Sequence, residues 1–238
     1  MKVIIFVILF RMEKNEREKK LESNYQNLLN EIKKTKKENN ITKEIKLISV
    51  SKKRSIEDIK VIYDLGVRIF GENYVNELLE KKEKLGKDIE WHLIGHLQSN
   101  KVKKLLQNIP NVIIESVDSV KIAEEINKHA QGKIKVYVEV NISGSESKTG
   151  ADLKIIDDIC KVIIEKCNNL ELIGIMSLGD VGNKEQFENM VKIKNDICDK
   201  YHLDKSKFIA SFGTSQDYIE AILSGSDEIR VGHQIFEV

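Results

Sequence analysis

Two adjacent lysines follow the first strongly apolar run of the chain and could do amine chemistry. The run ends in Val50-Ser51, and Lys52 and Lys53 come directly after it. A lysine at the end of a buried strand is costly to bury, and a desolvated amine is a nucleophile that attacks an aldehyde or ketone. Because side chains alternate along a strand, the two lysines point to opposite faces, and the pattern leaves open which one points inward. A lysine that turns outward into solvent is the simpler alternative.

A second group of reactive or binding residues lies near the C-terminus and consists of hydroxyls, glycines and one arginine. Its two segments are Ser211-Phe212-Gly213-Thr214-Ser215 and Arg230-Val231-Gly232-His233. Small hydroxyls, glycines and free backbone N–H groups at the start of a helix suit a phosphate group. The alternative is an ordinary turn built from turn-forming residues.

These residues belong to a chain in which apolar runs alternate with amphipathic helix patterns. The runs that predict strands are Lys46–Ser51, Val67–Phe70, Trp91–Ile94, Val112–Val117, Ile134–Ile142, Leu170–Leu178, Phe208–Phe212 and Glu228–Val231. Strands that alternate with helices predict a parallel sheet, and eight such units predict an α/β fold, a closed (β/α)8 barrel. The alternative, an open doubly wound sheet, usually has a glycine-rich turn after its first strand, and Ser51–Arg54 is unlike one.

A long helix pattern precedes the first strand. Between residues 13 and 39, apolar residues recur at spacings of three and four and form one stripe, made of Leu21, Tyr25, Leu28, Leu29 and Ile32. Ser55 is a predicted helix N-cap, and Gly66 lies where a helix C-terminal glycine belongs. The sequence therefore predicts one barrel domain over residues 12–238, with an extra helix at its N-terminal end.

Composition narrows the class of protein. The 238 residues carry a net charge of only +1, and the lysines are interspersed with acids, so no nucleic-acid partner is expected. Cys160, Cys167 and Cys198 fit neither a disulfide framework nor a zinc pattern. We therefore expect no metal site and a reducing, cytoplasmic environment. A monomer is expected, because no long apolar element is left exposed beyond the first ten residues.

The first residues form an apolar run, Val3–Phe10, flanked by Lys2 and Arg11. A bilayer-spanning helix needs about 20 apolar residues, so this run is too short to cross a membrane. It also lacks the small-residue cleavage site of a signal peptide. We expect residues 1–11 to be a disordered stub or an extension of the gene model, and we expect no membrane partner.

Barrel geometry brings the two groups of candidate residues together. Function in this fold lies at the C-terminal ends of the strands, and phosphate is commonly bound after strands seven and eight. Closure of the barrel places strand eight beside strand one, so Arg230 and Lys52 become neighbours. Lysine, arginine and a phosphate loop together suggest pyridoxal 5′-phosphate (PLP). An arginine facing the pyridine nitrogen cannot protonate it readily, which predicts a poor electron sink and weak carbanion chemistry.

Several segments of the chain also occur, in the same order, in one protein family. They are Val50-Ser51-Lys52, Gly71-Glu72-Asn73-Tyr74, the stretch from Trp91 to Lys101, Asn141-Ile142-Ser143 with Lys148 and Gly150, Gly174-Ile175-Met176, Ser211-x-Gly213-x-Ser215-x-Asp217 and Arg230-x-Gly232-x-x-Ile235-Phe236. The set resembles the YggS/PROSC family of pyridoxal phosphate homeostasis proteins and covers residues 20–236. The resemblance implies a barrel of the alanine racemase N-terminal type without the second domain of the racemase.

The resemblance also implies a set of cofactor-binding residues and their roles. The set is Lys52, Asn73, Met176, Ser211, Gly213, Ser215, Arg230, Gly232 and His233. Lys52 becomes the Schiff-base lysine in preference to Lys53, and Arg230 faces the pyridine nitrogen. Phosphate is held by Ser211, Ser215, Gly232 and the backbone of His233, while Asn73 and Met176 line the pocket. His92 and Gln98 support the pocket wall, with a packing role equally open for His92.

Leu93 departs mildly from the family pattern, because phenylalanine or methionine is more usual there, and two positions near the expected phosphate site depart more clearly. Thr214 stands where methionine is common, and His233 stands where threonine or serine is common. The lost hydroxyl at position 233 corresponds to about 1 kcal/mol of hydrogen bonding to phosphate. The backbone N–H of His233 remains available.

The expected function, which the resemblance implies, is intracellular PLP homeostasis by a carrier that binds PLP reversibly and limits free aldehyde, with no robust turnover and no catalytic residues. PLP-requiring apoenzymes are its candidate partners, and the sequence leaves open whether it transfers PLP to them directly. The alternative is a PLP-dependent racemase or decarboxylase. That alternative needs a catalytic base from another chain, because no second domain supplies one.

Overall fold

The computed structural model describes residues 15–145 and 147–238. The predicted N-terminal stub, residues 1–11, lies outside the described residues. Within the described part, no helix is long and apolar enough to cross a membrane.

Eight parallel strands form a closed barrel in sequence order. They are β1 (Lys46–Val50), β2 (Ile69–Glu72), β3 (Glu90–Leu93), β4 (Ile113–Val117), β5 (Ile134–Val140), β6 (Leu170–Ser177), β7 (Ile209–Thr214) and β8 (Glu228–Val231). Each strand overlaps one of the apolar runs, which confirms the predicted barrel. Strand β8 pairs with β1, and Arg230 lies opposite Ile48 in the register of that seam.

Helices surround the barrel and connect consecutive strands. Those found in the described residues are α1 (Glu16–Glu38), α2 (Ile56–Asp64), α3 (Val75–Lys84), α4 (Ser99–Asn108), α5 (Val120–His129), α6 (Ile156–Lys166), α7 (Lys184–Tyr201), α8 (Tyr218–Leu223) and α9 (His233–Phe236). The predicted extra N-terminal helix is α1. As expected, the Ser55 side chain caps α2 by accepting a hydrogen bond from the N–H of Asp58.

Helix α1 packs across the closing seam of the barrel, against α2, α8 and α9. Its apolar stripe supplies the buried residues Leu21, Leu28 and Ile32. The amide of Asn24 donates to the backbone carbonyl of Glu237 at 2.8 Å. Arg17 forms a two-pronged ion pair with Asp58 on α2, with both N–O distances at 2.7 Å. The first helix therefore covers the end of the chain that follows β8.

The core has two parts, one between the strands and the helices and one inside the barrel. Trp91 and Leu93 of β3 belong to the apolar layer beneath the helices. His92, between them in sequence, points into the barrel, because its ring bonds Glu115 on β4 and its Nε2 lies 3.1 Å from the ammonium of Lys46 on β1. The interior therefore contains charged residues as well as an apolar cluster around Tyr137 and Met176.

Candidate functional site

A cavity of about 420 Å³ opens at the C-terminal ends of β1, β2, β7 and β8. Its lining residues are Val50, Lys52, Asn73, Ile94, Leu178, Thr214, Ser215, Gln216, Arg230, Gly232, His233 and Gln234. The volume falls in the range of small-molecule sites. The cavity therefore joins the lysine after the first strand to the two C-terminal segments that predicted a phosphate site.

A larger depression, of about 720 Å³, lies at the opposite end of the barrel. Lysines line it, but Lys43 and Lys194 both form ion pairs with Asp227, at 2.8 Å each. Both ammonium groups are therefore already ion-paired with one shared carboxylate, and the depression lies at the end of the barrel where this fold does not place its chemistry.

The structure distinguishes the two lysines that the strand pattern left open. Val50 and Lys52 both line the cavity, as expected for residues two apart in extended chain. Lys53 is not among the lining residues. Its backbone has the left-handed φ of 59°, and its N–H donates to Glu77 on α3. The position of Lys52 makes it the amine that reaches the cavity.

Arg230 lies at the base of the cavity and is 3% exposed. Its guanidinium donates to the hydroxyl of Ser211 at 2.6 Å and to the carbonyl of Ser177 at 2.7 Å. Both acceptors are neutral, and no carboxylate in the described ranges forms an ion pair with Arg230. Since a guanidinium has five N–H donors, its remaining donors stay available to a ligand.

The two loops after β7 and β8 meet at Ser215. The Ser215 hydroxyl accepts hydrogen bonds from the N–H groups of Gly232, at 3.1 Å, and His233, at 3.0 Å. Two glycines next to this meeting point, Gly213 at the end of β7 and Gly232 after β8, are required by their surroundings. Gly213 has a φ of 98°, and a Cβ on Gly232 would lie 2.7 Å from the carbonyl oxygen of Val50. Two N–H groups that converge on one hydroxyl oxygen form a concavity of donors suited to an anion, and the hydrogen of the hydroxyl is a further donor there.

Three predicted site residues lie outside the cavity lining. Ser211 is fully buried beneath Arg230, from which it accepts a hydrogen bond, and its hydroxyl donates to Glu115 at 3.2 Å. In the structure, therefore, Ser211 contacts and orients Arg230, whereas the sequence predicted that it contacts phosphate. Met176 is buried inside the barrel against Tyr137. Gly213 lies in the backbone of β7, just before the loop that carries Ser215.

The predicted wall residues are also displaced from the cavity. His92 is fully buried inside the barrel, which favours the packing alternative over support of the wall. Gln98 lines a neighbouring depression together with His96 and Lys101. Asn73 lines both that depression and the cavity, and its side-chain oxygen is buried without a partner. An orphaned acceptor in the cavity wall indicates a site for a ligand donor.

The two departures from the family pattern have local explanations. Thr214 donates its hydroxyl to Asp217 at 3.0 Å and so fixes the loop from within. The imidazole of His233 is exposed and lies 3.2 Å from Glu237. The backbone N–H of His233, which any residue there would supply, is the group aimed at Ser215.

A hydrogen-bonded chain of buried polar groups runs through the barrel to Arg230. In order, its members are Lys46, Glu90, His92, Glu115, Ser211 and Arg230. Burial lowers the pKa of His92, but hydrogen bonds from the ring to Glu115 and Glu90 outweigh this effect and raise the pKa to about 9. The hydrogen bond to His92 lowers the pKa of Glu90 to about 2. The chain therefore carries alternating charges at neutral pH.

Three members of this region have the composition of a metal site. His92, Glu115 and Glu228 bring their ligand atoms within 4.8 Å of one another. The ammonium of Lys46, however, lies 3.1 Å from Nε2 of His92 and 3.5 Å from Glu228. A built-in cation thus stands among the carboxylates, so the cluster is an ion-paired core and not a metal centre.

The chain is similar to known proteins over nearly its whole length. The family model described as the alanine racemase N-terminal domain matches residues 19–238. The pyridoxal phosphate homeostasis protein of Pongo abelii is 38% identical over 208 residues, which cover 80% of this chain and 75% of that protein. An unknown protein from Bifidobacterium adolescentis has a TM-score of 0.85 at 30% identity and covers 94% of this chain and 97% of its own.

A third comparison concerns a structure with a ligand. PipY of Synechococcus elongatus PCC7942, solved with PLP bound, has a TM-score of 0.69 at 28% identity and covers 81% of this chain and 92% of its own. Together with the barrel and its lysine-arginine cavity, these matches define a barrel of the alanine racemase N-terminal type. Within that class, the chain belongs to the family of the pyridoxal phosphate homeostasis proteins.

Sequence reasoning missed several groups around the site. The cavity is also lined by Leu178, Gln216 and Gln234, none of which was predicted to be a site residue. Glu115 was hidden in an apolar strand run. The alternation of β4 was a signal that could have found it, since Ile113 and Glu115 both point into the barrel.

Proposed function

We propose that this protein binds PLP in the cavity, holds it covalently on Lys52 as a Schiff base and serves PLP homeostasis without robust turnover. The observation that carries the proposal is that Lys52, Arg230 and the loop of Ser215, Gly232 and His233 line one cavity. The names of the relatives and the PLP bound to PipY support it.

The residues present suit the cofactor. PLP supplies a reactive aldehyde together with an electron-accepting ring. Lys52 provides the amine for the aldehyde, and the N–H groups of Gly232 and His233, with the Ser215 hydroxyl, provide donors for the phosphate. The orphaned oxygen of Asn73 offers an acceptor to a donor on the ligand.

The presence of Arg230 favours retention of PLP over catalytic turnover. A guanidinium stays protonated and donates hydrogen bonds only, so it keeps a facing ring nitrogen unprotonated. An unprotonated ring withdraws electrons weakly and gives little carbanion stabilisation. We infer that the arrangement protects the aldehyde from other amines until an apoenzyme takes it up.

The proposal extends to the setting of the protein. Residues 12–238 form one domain that acts as a cytoplasmic monomer, with PLP-requiring apoenzymes as recipients. The reduced state of Cys160, Cys167 and Cys198, all of which are free and buried, supports a reducing compartment.

The alternative is a racemase or decarboxylase that uses the same cofactor residues with a base from another chain. The two functions are separated by supplying the purified, PLP-loaded protein with L- and D-amino acids and following product over many equivalents of protein. The carrier function predicts a visible absorption band and no steady product formation. Steady turnover that scales with protein concentration would establish the alternative.

A further inference from the structure

The turn that presents Lys52 is held by a buried ion cluster on the outer side of the barrel. Lys81 of α3 is 3% exposed, although it is a lysine in a helix of charged residues. Its ammonium donates to the carbonyl of Ser51 at 2.6 Å, to Glu72 at 2.7 Å and to Glu77 at 2.6 Å. All three of its donors are therefore used.

The cluster contacts the backbone on both sides of Lys52. Before it, the carbonyl of Ser51 is bound by Lys81, and the hydroxyl of Ser51 donates to Glu72 at 2.6 Å. After it, the N–H of Lys53 donates to Glu77 at 2.5 Å. The two peptide units that set the direction of the Lys52 side chain are thus fixed to the same ammonium and its carboxylates.

The conformation that these contacts hold is an uncommon one. Lys53 has a φ of 59°, in the left-handed region that non-glycine residues rarely adopt. A turn of this kind relaxes unless its surroundings hold it. Relaxation would rotate the preceding peptide and move the Lys52 amine away from the cavity.

We propose that Lys81, with Glu72 and Glu77, is a positioning residue that directs the Lys52 amine into the cavity for reaction with an aldehyde. The inference rests on the proposed function. In the reaction that it serves, the amine of Lys52 condenses with the aldehyde carbon, a C=N bond replaces the C=O bond and one water is released. Lys81 touches neither reactant and acts through the backbone of the turn.

The test compares a ligand with the aldehyde to one without it. PLP is added to the full chain, the adduct is reduced with borohydride, and the fraction of protein labelled is measured by mass spectrometry as a function of time. Binding of pyridoxamine 5′-phosphate, which has the ring and phosphate but no aldehyde, is measured by calorimetry.

Lys81→Met should slow labelling by PLP at least tenfold and leave the dissociation constant for pyridoxamine 5′-phosphate within twofold of wild type. Burial already raises the pKa of Glu72 against the opposing hydrogen bond from Lys81, so Glu72 can take up a proton when the ammonium is removed. That proton should allow the variant to fold. Lys84→Met is the matched control, because Lys84 lies on the same helix and pairs with Glu80 at the surface, at 2.6 Å. It should match wild type in both measurements.

The positioning role would be overturned if Lys81→Met were labelled by PLP at the wild-type rate. It would also be overturned if the variant lost affinity for pyridoxamine 5′-phosphate by the same factor as its labelling rate. If Lys81→Met does not fold, Glu77→Gln decides the question, because Glu77 is partly exposed and binds the N–H of Lys53. It should slow labelling with pyridoxamine 5′-phosphate binding kept, and unchanged labelling would overturn the inference. Failure of wild type itself to be labelled would instead contradict the proposed function.

Discussion

Lys52 and Lys53 have the same side chain and different surroundings. The resemblance to a family selected Lys52, and the structure supports that choice independently. Lys52 lines the cavity, whereas Lys53 lies outside the lining, in the segment that leads to α2. The alternation of side chains along β1 would have distinguished the two lysines only if the face of the strand that points into the barrel had been known. Val50 and Lys52 share that face with Ile48, which packs inside the barrel.

Ser211 and Ser215 show how two similar residues in one motif divide their work. Ser211 lies under Arg230, and Ser215 receives the N–H groups of Gly232 and His233. Sequence alone could not separate these roles, because both serines belong to one loop motif and the turn at Gly213 decides which one faces the cavity.

Ser215→Ala should weaken the binding of inorganic phosphate about five- to tenfold, the worth of one hydrogen bond of about 1 kcal/mol. Ser211→Ala should leave phosphate binding near wild type, because its hydroxyl lies below the cavity. Calorimetric titration with inorganic phosphate checks both variants. Equal losses in the two variants would contradict the division of roles.

At the scale of elements, the strands and helices were largely predictable. Hydrophobic periodicity is a local property, so the apolar runs located all eight strands to within a few residues. The apolar stripe of α1 was predicted equally well, since Leu21, Leu28 and Ile32 are buried in the structure. Counting the units then predicted closure, and closure predicted that Arg230 and Lys52 meet.

The contacts between elements were not predictable in the same way. Lys81 lies in a helix rich in lysine and glutamate, so its sequence context predicts a solvent-exposed side chain. In the structure it is buried against the turn after β1. Its burial depends on the position of α3 relative to that turn. Likewise, Lys46 of β1 and His92 of β3 approach each other across the barrel and share Glu90 as an acceptor, and strand tilt and stagger decide which side chains meet there.

At the scale of the whole molecule, the charged interior of the barrel should make stability depend on pH. The pKa of His92 is raised from 6.5 to about 9, so between these values the folded chain binds a proton that the unfolded chain has lost. The stabilisation is complete below pH 6.5 and is lost as pH rises through about 9. Burial and the neighbouring Glu115 raise the pKa of Glu228 to about 7, which acts in the same direction between pH 4.5 and 7.

The free energy of unfolding should therefore fall between pH 6.5 and 9, by on the order of 3 kcal/mol from His92. His92→Gln should be less stable than wild type, most of all near pH 6, and should show a flatter pH dependence. Urea unfolding at several pH values measures this. His129→Gln, which changes a histidine at the end of α5 that pairs with Glu125, controls for the change of residue type and is measured over the same pH range. A wild-type slope in His92→Gln would show that the ring is not protonated in the fold.

The central claim is that Lys52 carries PLP in this cavity, and peptide mapping after borohydride reduction tests it most directly. Wild-type protein incubated with PLP should gain one reduced adduct, located on the peptide at Lys52. Lys53→Ala should give the same adduct, and Lys52→Ala should lose both the adduct and the visible absorption band. Labelling that persists in Lys52→Ala and disappears in Lys53→Ala, or a wild type that takes up no PLP, would contradict the account.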